Sequence, residues 1–373
     1  MARGTGDGNI FGAVGEFVVS LRVFSAMRRV AAIFVAVVAV AMCTPPARAL
    51  SFNLDSIAAM GAFPRTVVNV YRWGDGFFNP RDSDYVDVTG TKFSVKLSSQ
   101  SWLNHLNFRI PSRRTIDLLS EPSTTVGVYI TYLALTAGYD INVSKLFGQS
   151  GHARQRYQFG FNCSLLSAEA YWERNTVGTR LRRFGDYEEL DLPFDGVSLD
   201  SWGLDLYYFF NHRRYSQAAL FAYSRIQRRS QGSFYAGLST YTQRYDIDFS
   251  SLPSEMLALL PEWWTDSHYR VRTRNYGLRL GYGYNWVLPH GWTIGASVSP
   301  VVGLATGKVN SESDKVRFSL FNHLKLGAVW NHGRWFLGAQ GLIDTAVVQE
   351  HETLFLGSNM NFDAVVGYRF NLW

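Results

Sequence analysis

Residues 276–286, YGLRLGYGYNW, place a large apolar side chain at every second position and a small or polar residue between them. Successive side chains of a β-strand point to opposite faces, so this pattern predicts a strand with one apolar face and one small or polar face. The same alternation recurs in several later and earlier segments, at 157–165, 202–210, 292–302 and 316–326. The chain is therefore predicted to be all-β.

The lengths of these segments separate two kinds of β protein. From residue 91 onward there are about eleven candidate strands, most of them about 9–17 residues long, whereas ordinary globular strands have about 5–6. A tilted strand that crosses a membrane needs about 9–11 residues. Length therefore favours a transmembrane antiparallel β-barrel over a soluble sandwich.

The connections between the candidate strands fall into two classes. Short turns are expected at 211–214, 288–291 and 331–333, and long polar loops at 103–123, 175–197, 247–270, 307–314 and 347–360. Outer-membrane barrels have short periplasmic turns, long extracellular loops and, in bacterial chains, an even strand number. We therefore expect about twelve strands. The missing one could lie at 65–72, or the segment 215–246 could divide differently.

The composition agrees with a β-rich chain that has much apolar surface. Charged residues make up 18% of the chain, below the roughly 25% of soluble domains, and aromatic residues make up 15%. The net charge is +6 and the arginines are scattered or in short clusters, so we predict no nucleic-acid partner.

Tryptophans flank the predicted short turns. Trp286 and Trp292 stand on either side of one turn, and Trp330 and Trp335 on either side of another. Amphipathic aromatic rings are stable at a membrane–water interface, so these residues, with Trp373, are predicted to form an aromatic girdle.

The first 49 residues have the pattern of a signal peptide. A basic stretch at 27–29 precedes the apolar segment 30–42 and an A-x-A site at 47–49. We expect a true start near Met27, a periplasmic lead-in over 50–90 and the barrel over 91–373. Cys43 leaves lipidation as an alternative. Cleavage after Ala49 would leave only Cys163, which excludes an intramolecular disulfide.

The small and polar face of each strand is predicted to line the lumen. Its candidate residues are Arg279, Asn285, Arg317, His323 and Lys325. About twelve strands lie between the filled barrels of about eight and the open pores of sixteen or more, which predicts a narrow or plugged lumen. The charged candidates predict that this lumen has a basic bias.

Other polar groups are weaker candidates. Asp266, Ser267 and His268 are adjacent in a loop but have no identifiable third partner, and the acidic residues of 186–195 match no calcium-loop spacing. The arginines at 225, 228 and 229, and at 270, 272 and 274, could pair with lipopolysaccharide phosphates or serve as rim charges. Residues 251–264 are a short helix candidate. No cofactor or metal is predicted.

The chain also resembles a known family. The resemblance lies in VVNVYRWGDGF at 67–77, GVYITYLALTAGYDIN at 127–142, the segment 208–239 and the terminal GYRF. It is to uncharacterised outer-membrane proteins of Bacteroidetes, classed as a domain of unknown function. The resemblance implies a barrel in the outer membrane of a Gram-negative cell, inserted by the barrel-assembly machinery, with no known catalytic residues.

The last residues bear on assembly. The usual assembly signal has apolar or aromatic residues at alternate positions, and here they are Val366, Tyr368 and Phe370, with Trp373 at the interface. We expect a non-catalytic, porin-like narrow channel or a structural barrel, with lipid, lipopolysaccharide and possibly a small solute as partners. Alternatives are a ligand-binding or adhesive surface barrel, or a lipid or peptide hydrolase.

Overall fold

The structure is a computed structural model that describes residues 62–110, 114–143, 154–175, 178–187, 189–260, 267–309, 315–350 and 353–371. The predicted signal peptide, Cys43, Asp266 and Trp373 lie outside these ranges. The described helices are α1 (Ala62–Phe78), α2 (Gln217–Phe221) and α3 (Ser254–Leu257), with a 3-10 turn at Pro289–Gly291. None of the helices in these ranges is long and apolar enough to cross a membrane.

The described strands alternate with turns along nearly the whole chain. They are β1 (Val86–Val88), β2 (Phe93–Ile110), β3 (Arg114–Ser120), β4 (Ser123–Tyr132), β5 (Leu135–Asn142), β6 (Arg154–Asn162), β7 (Leu166–Asn175), β8 (Thr179–Gly185), β9 (Leu192–Phe194), β10 (Val197–Phe209), β11 (Arg225–Gln227), β12 (Gln231–Asp248), β13 (His268–Val287), β14 (Trp292–Val309), β15 (Lys315–His332), β16 (Trp335–Glu350) and β17 (Thr353–Phe370).

Twelve of these strands close into an antiparallel barrel. Its order is β2, β4, β5, β6, β7, β10, β12, β13, β14, β15, β16 and β17, and β17 pairs with β2 to complete the ring. The last pairing runs from Leu354↔Arg109 to Phe370↔Phe93, so it joins nearly the full length of both strands. The prediction of an all-β barrel of about twelve strands is confirmed.

The strand parity follows the sequence pattern. On β13 the odd-numbered residues, such as Arg279 and Asn285, are buried in the lumen, while Leu278, Leu280 and Trp286 are exposed on the outer surface. The outer surface is therefore apolar, and the inner surface is polar or small.

Of the two alternatives for the missing strand, the first is wrong and the second is confirmed. Residues 65–72 belong to the helix α1, because their apolar residues also fit a helical face. The segment 215–246 does divide differently, into α2, β11 and β12. The long loop expected at 347–360 is wrong, since β16 and β17 continue to within two residues of each other. The helix candidate 251–264 is a single turn, α3, in its described part.

The two ends of the barrel differ. The turn end carries the connections at 133–134, 163–165, 210–230, 288–291 and 333–334, together with the first residues of β2 and the last of β17. The loop end carries the connections between β2 and β4, β7 and β10, and β12 and β13.

A plug, which we define as residues 211–230, enters the lumen from the turn end. Its residues Leu220 and Tyr223 are fully buried against Val329, Phe336 and Val365 of the barrel wall. Inward glycines make this possible: a Cβ on Gly327 would lie 2.9 Å from Cγ of Leu220. The sequence-based expectation of a tight turn at 211–214 holds only for the start of this insertion.

A cap, which we define as β3, β8, β9 and α3, covers the loop end. The half of β2 nearer the loop end pairs with β3, β3 pairs with β8, and β8 pairs with β9. An apolar cluster joins these strands to the barrel wall, with Phe108, Ile116, Phe184, Phe249 and Phe355 among its members. The lumen is therefore covered at both ends.

Candidate functional site

A polar cavity lies in the lumen between the plug and the cap. It has a larger compartment of about 150 Å³ and a smaller one of about 110 Å³. Both are lined by Arg156, Glu169, Lys325 and Leu342, so the two compartments adjoin. The strands β7, β10, β13, β15 and β16 contribute most of the charged wall.

Opposite charges from different strands pair across the larger compartment. Arg279 on β13 donates through Nη2 to Oδ1 of Asp205 on β10 at 2.8 Å, and Lys325 on β15 lies 3.2 Å from Oε2 of Glu169 on β7. Arg156 on β6 pairs with Glu173 on β7 at 3.3 Å. Pairing of this kind offsets the desolvation cost of charges in the barrel interior.

A histidine–aspartate pair lies in the same wall. Nδ1 of His323 and Oδ1 of Asp344 are 2.5 Å apart on the neighbouring strands β15 and β16. Nε2 of His323 is buried and has no hydrogen-bond partner among the described residues, and neither does the hydroxyl of Tyr241 nearby in the wall. These groups are available to a polar molecule in the cavity.

The smaller compartment has its own hydrogen-bond network. Tyr129 donates to Asp140 at 2.5 Å and receives a bond from Gln100 at 2.8 Å, while Ser98 donates to Asp363 at 2.5 Å. Nζ of Lys96 lies 4.3 Å from the ring centre of Tyr129. This arrangement fixes the wall of the compartment through residues of β2, β4, β5 and β17.

The structure places the predicted lumen residues on the inner surface at three heights. Arg279, His323 and Lys325 line the cavity. Asn285 bonds the plug, donating to the carbonyl of Ser216 at 2.9 Å, and Arg317 donates to the carbonyl of Gly307 at 2.9 Å near the loop end. Their part in selecting a solute stays a prediction.

The expected basic bias of the lumen is wrong for this cavity. Its lining carries four cationic side chains and five carboxylates, which are Lys96, Arg156, Arg279 and Lys325, and Glu169, Glu173, Asp205, Asp344 and Asp363. The charged candidates of the sequence lie on β13 and β15, whereas the five carboxylates lie on β7, β10, β16 and β17. Asp205 could have been found, because it alternates with the outward Leu204 and Leu206.

The predicted girdle residues stand at the turn end. Trp286, Trp292 and Trp335 are exposed on the outer surface, and Nε1 of Trp330 donates to the carbonyl of His290 in the intervening turn. Val366, Tyr368 and Phe370 share the outer face of β17, while Gly367 and Arg369 face inward. Their roles as girdle and assembly signal stay predictions.

The weaker candidates are placed apart from the cavity. At the loop end, the ring nitrogens of His268 lie 3.2 Å from Asp246 and 3.3 Å from Asp248. The backbone N–H of Phe249 donates to the carbonyl of Ser267. In the acidic segment, Asp191 pairs with Arg180 and Arg182.

The basic group at 225–229 is at the turn end. Arg225 donates to Asn79 at 2.8 Å, and Arg228 pairs with Asp87. The group thus ties the plug to the segment before the barrel. Arg270, Arg272 and Arg274 lie on the outer face of β13, at the loop end.

A known family and several solved structures are similar to this chain. The family described as "Domain of unknown function (DUF4421)" matches residues 80–370. No curated protein matches the chain. Among solved structures, the outer membrane protease OmpT from Escherichia coli is 7% identical, with 74% of this chain and 96% of that chain covered and a TM-score of 0.37.

Two further solved structures are outer-membrane proteins of other kinds. The translocator domain of the autotransporter NalP from Neisseria meningitidis is 12% identical, with 85% and 98% covered and a TM-score of 0.37. The P. putida toluene transporter TodX is 8% identical, with 75% and 90% covered and a TM-score of 0.28. These proteins have different activities, and none of them is assigned to this chain.

Proposed function

The chain belongs to the family described as domain of unknown function (DUF4421), and we propose that it is an integral outer-membrane barrel that acts as a gated narrow channel for a small polar solute. A Gram-negative cell of the Bacteroidetes type and insertion by the barrel-assembly machinery are parts of the same proposal. The proposed membrane location and the proposed channel function rest on separate observations.

The apolar outer belt supports the membrane location. Exposed side chains such as Leu278 and Leu280, at 67% and 66%, would be unfavourable in water as a continuous surface. On β13 the belt runs from Tyr276 to Trp286, roughly 33 Å along the strand at about 3.3 Å per residue. A barrel tilt of about 40° reduces this to a height of about 25 Å, the height of the apolar band in outer-membrane barrels.

The charged cavity between the plug and the cap carries the proposal of a channel. A barrel with a purely structural role is stable when apolar and small side chains fill its interior. Here at least three ion pairs line adjoining compartments in the middle of the lumen instead. A polar solute loses its hydrogen bonds to water when it enters the barrel, and the charged groups of this wall can replace them.

The plug is the part most suited to move. Polar contacts fix much of it to the wall: Asn285 to Ser216, Gln340 to the Leu220 and Phe221 carbonyls, and Arg369 to the Tyr223 carbonyl at 2.9 Å. Water can replace such bonds when the plug withdraws. The plug also loses the apolar contacts of Leu220 and Tyr223, but this cluster is smaller than the one under the cap, so opening at the cap would expose more apolar surface.

Planar-bilayer recording tests the channel. In a plug-free variant, residues 212–230 are replaced by a four-residue Gly-Ser turn, since Asn211 and Gly232 already lie side by side at the barrel wall. We expect brief, infrequent openings for the wild type and a steady conductance for the variant. A matched control inserts four Gly-Ser residues in the turn at 333–334, which leaves the plug in place.

One outcome contradicts the channel and another contradicts its gating by the plug. A folded plug-free barrel that does not conduct favours a structural barrel, and equal steady conductance of wild type and variant removes the plug as gate. The hydrolase alternative needs the 266–268 group, and activity that persists in an Asp266→Ala, His268→Ala double variant excludes that site. The adhesive alternative predicts that deletion of the 175–197 and 247–270 connections abolishes ligand binding and spares insertion.

A further inference from the structure

Basic side chains form a row across three neighbouring strands on the outer surface. Arg244 of β12, Arg272 of β13 and Lys308 of β14 occupy directly opposite positions in the sheet, and Arg274 lies two residues nearer the turn end on the same face. Arg244, Arg272, Arg274 and Lys308 are all exposed. We refer to these four residues as the basic row.

The basic row stands at the edge of the apolar belt. Directly below it, toward the turn end, Tyr276, Leu304 and Phe318 are opposite one another on β13, β14 and β15 and are 56%, 53% and 64% exposed. Two residues along a strand span about 7 Å, so the charge of Arg274 and the ring of Tyr276 are neighbours. On β13 the outer surface thus changes from cationic to apolar within one side-chain spacing, and on β14 Thr306 separates Lys308 from Leu304.

A row of like charges is unfavourable without a counter-charge. Adjacent strands are about 4.8 Å apart, and like charges directly opposite each other destabilise a sheet. The unfavourable term is larger beside an apolar surface, where water screens the charges less. The row therefore indicates an anion that bridges the strands.

The nearby carboxylates have other partners. Asp200, opposite Arg244 on β10, pairs with Arg174 of β7 at 3.4 Å, and Asp246 contacts His268 and Arg270. In the described ranges, Arg244, Arg274 and Lys308 form no ion pair with a carboxylate. The barrel wall itself therefore provides little compensation for this part of its charge.

We propose that the basic row binds the phosphate groups of a lipopolysaccharide-type lipid of the outer leaflet, whose acyl chains lie on Tyr276, Leu304 and Phe318. Guanidinium groups bind phosphate oxygens in bidentate fashion, and Lys308 adds a point charge. A free phosphate would satisfy the charges only, whereas an amphiphilic lipid satisfies the charges and covers the apolar surface beside them. The inference rests on the proposed membrane location, but not on the channel.

Native mass spectrometry of the detergent-solubilised barrel tests this inference with diphosphoryl lipid A and its dephosphorylated form. We expect wild-type protein to retain diphosphoryl lipid A and to bind the dephosphorylated form at least about tenfold more weakly. The triple variant Arg244→Gln, Arg274→Gln, Lys308→Gln should weaken binding of diphosphoryl lipid A by at least about tenfold as well. The matched control is Arg81→Gln, Arg213→Gln, Arg334→Gln, which removes three exposed charges at the turn end and should bind as the wild type does.

The lipid source and the folding of the variant are controlled separately. Equal binding of the two lipid forms, an unchanged affinity in the triple variant, or displacement of lipid A by an equimolar amount of inorganic phosphate overturns the proposal. If the triple variant does not fold, the wild-type comparison of the two lipid forms decides. Failure of the wild-type barrel to insert into vesicles contradicts the membrane location instead, and is measured independently of lipid binding.

Discussion

Arg279 on β13 and Asp205 on β10 form an ion pair on the inner wall over the intervening strand β12, with Nη2 of the guanidinium 2.8 Å from Oδ1 of the carboxylate. Arg279 is 2% exposed and also donates to Ser239 at 3.0 Å and to Ser299 at 3.3 Å, and its guanidinium lies over the ring of Tyr207. One side chain therefore connects β10, β12, β13 and β14 from inside the barrel. Its loss leaves a carboxylate in the interior without its partner.

Replacement of Arg279 by Ala should lower the free energy of unfolding by about 3–5 kcal/mol, because Asp205 then loses its cationic partner in the barrel interior. Urea titration in phosphatidylcholine vesicles, followed by gel mobility, measures the change. The double variant Arg279→Met, Asp205→Leu removes both charges and should lose much less. Arg274→Ala, on the outer face of the same strand, should change stability by at most about 0.5 kcal/mol. Equal effects of the two single alanine variants would contradict the importance of the pair.

Gly338 and Gly341 on β16 provide a matched test of the plug. A Cβ at Gly338 would overlap the Tyr223 hydroxyl, whereas a Cβ at Gly341 would lie 3.9 Å from its nearest neighbour, Leu326. Tyr223 has little freedom to yield, because its ring stacks on Phe336 and its backbone is in the left-handed region at φ 58.

Gly338→Ala should therefore dislodge the plug and raise the open probability in planar bilayers by at least about tenfold, equivalent to about 1.4 kcal/mol of destabilised closure. Gly341→Ala should behave as the wild type does. Unchanged recordings for Gly338→Ala, in a variant with normal gel mobility, would show that Tyr223 does not hold the gate closed.

The pair of Asp87 and Arg228 makes the contact between β1 and β11 sensitive to acid. The hydrogen bond from Arg228 lowers the pKa of Asp87 below its ordinary value of 3.8. A carboxyl whose pKa is lower in the folded protein contributes stability that is present above the pKa of the unfolded chain and is lost as the pH falls through the folded pKa. The contact should therefore be intact at pH 6 and weaken below about pH 4.

Hydrogen exchange of residues 82–90 and 225–228 between pH 6 and pH 3, corrected for intrinsic rates, measures this weakening. The Asp87→Asn variant should show lower protection at pH 6 and a flatter dependence on pH. A wild-type profile as flat as that of Asp87→Asn would assign the β1–β11 contact to the backbone ladder instead of the ion pair.

Phe370 should contribute more to assembly than Trp373. Phe370 shares the outer face of β17 with Val366 and Tyr368, and its ring stacks on Phe93 of the closing strand with centroids 5.7 Å apart. Phe370→Ala removes a contact that joins the first and last strands, so the folded fraction in outer-membrane preparations should fall several-fold. Trp373→Ala should have a smaller effect. If Trp373→Ala reduced the folded fraction more than Phe370→Ala does, the main assembly signal would be the last residue, Trp373.

Much of the barrel wall could be predicted from local pattern. The period of two defined most of the long strands and the inward direction of Arg279, Asn285 and Lys325, because neighbouring strand residues must face opposite sides. The number twelve followed from the even strand number of bacterial barrels. The pattern failed at α1, where the apolar residues of 67–73 satisfy both a strand and a helix over so short a range.

The interior was decided by contacts between distant parts of the chain. Nothing local distinguishes the inward glycines 327 and 338 from glycines that bend a strand, yet they make room for Leu220 and Tyr223, more than a hundred residues away. The cations of the cavity wall likewise have carboxylate partners on other strands: Arg156 pairs with Glu173, Arg279 with Asp205 and Lys325 with Glu169. The sequence by itself determined which residues face inward, since that depends only on neighbouring positions. Only the tertiary structure decided what fills the lumen and which charges pair, since both depend on how the closed barrel brings distant strands together.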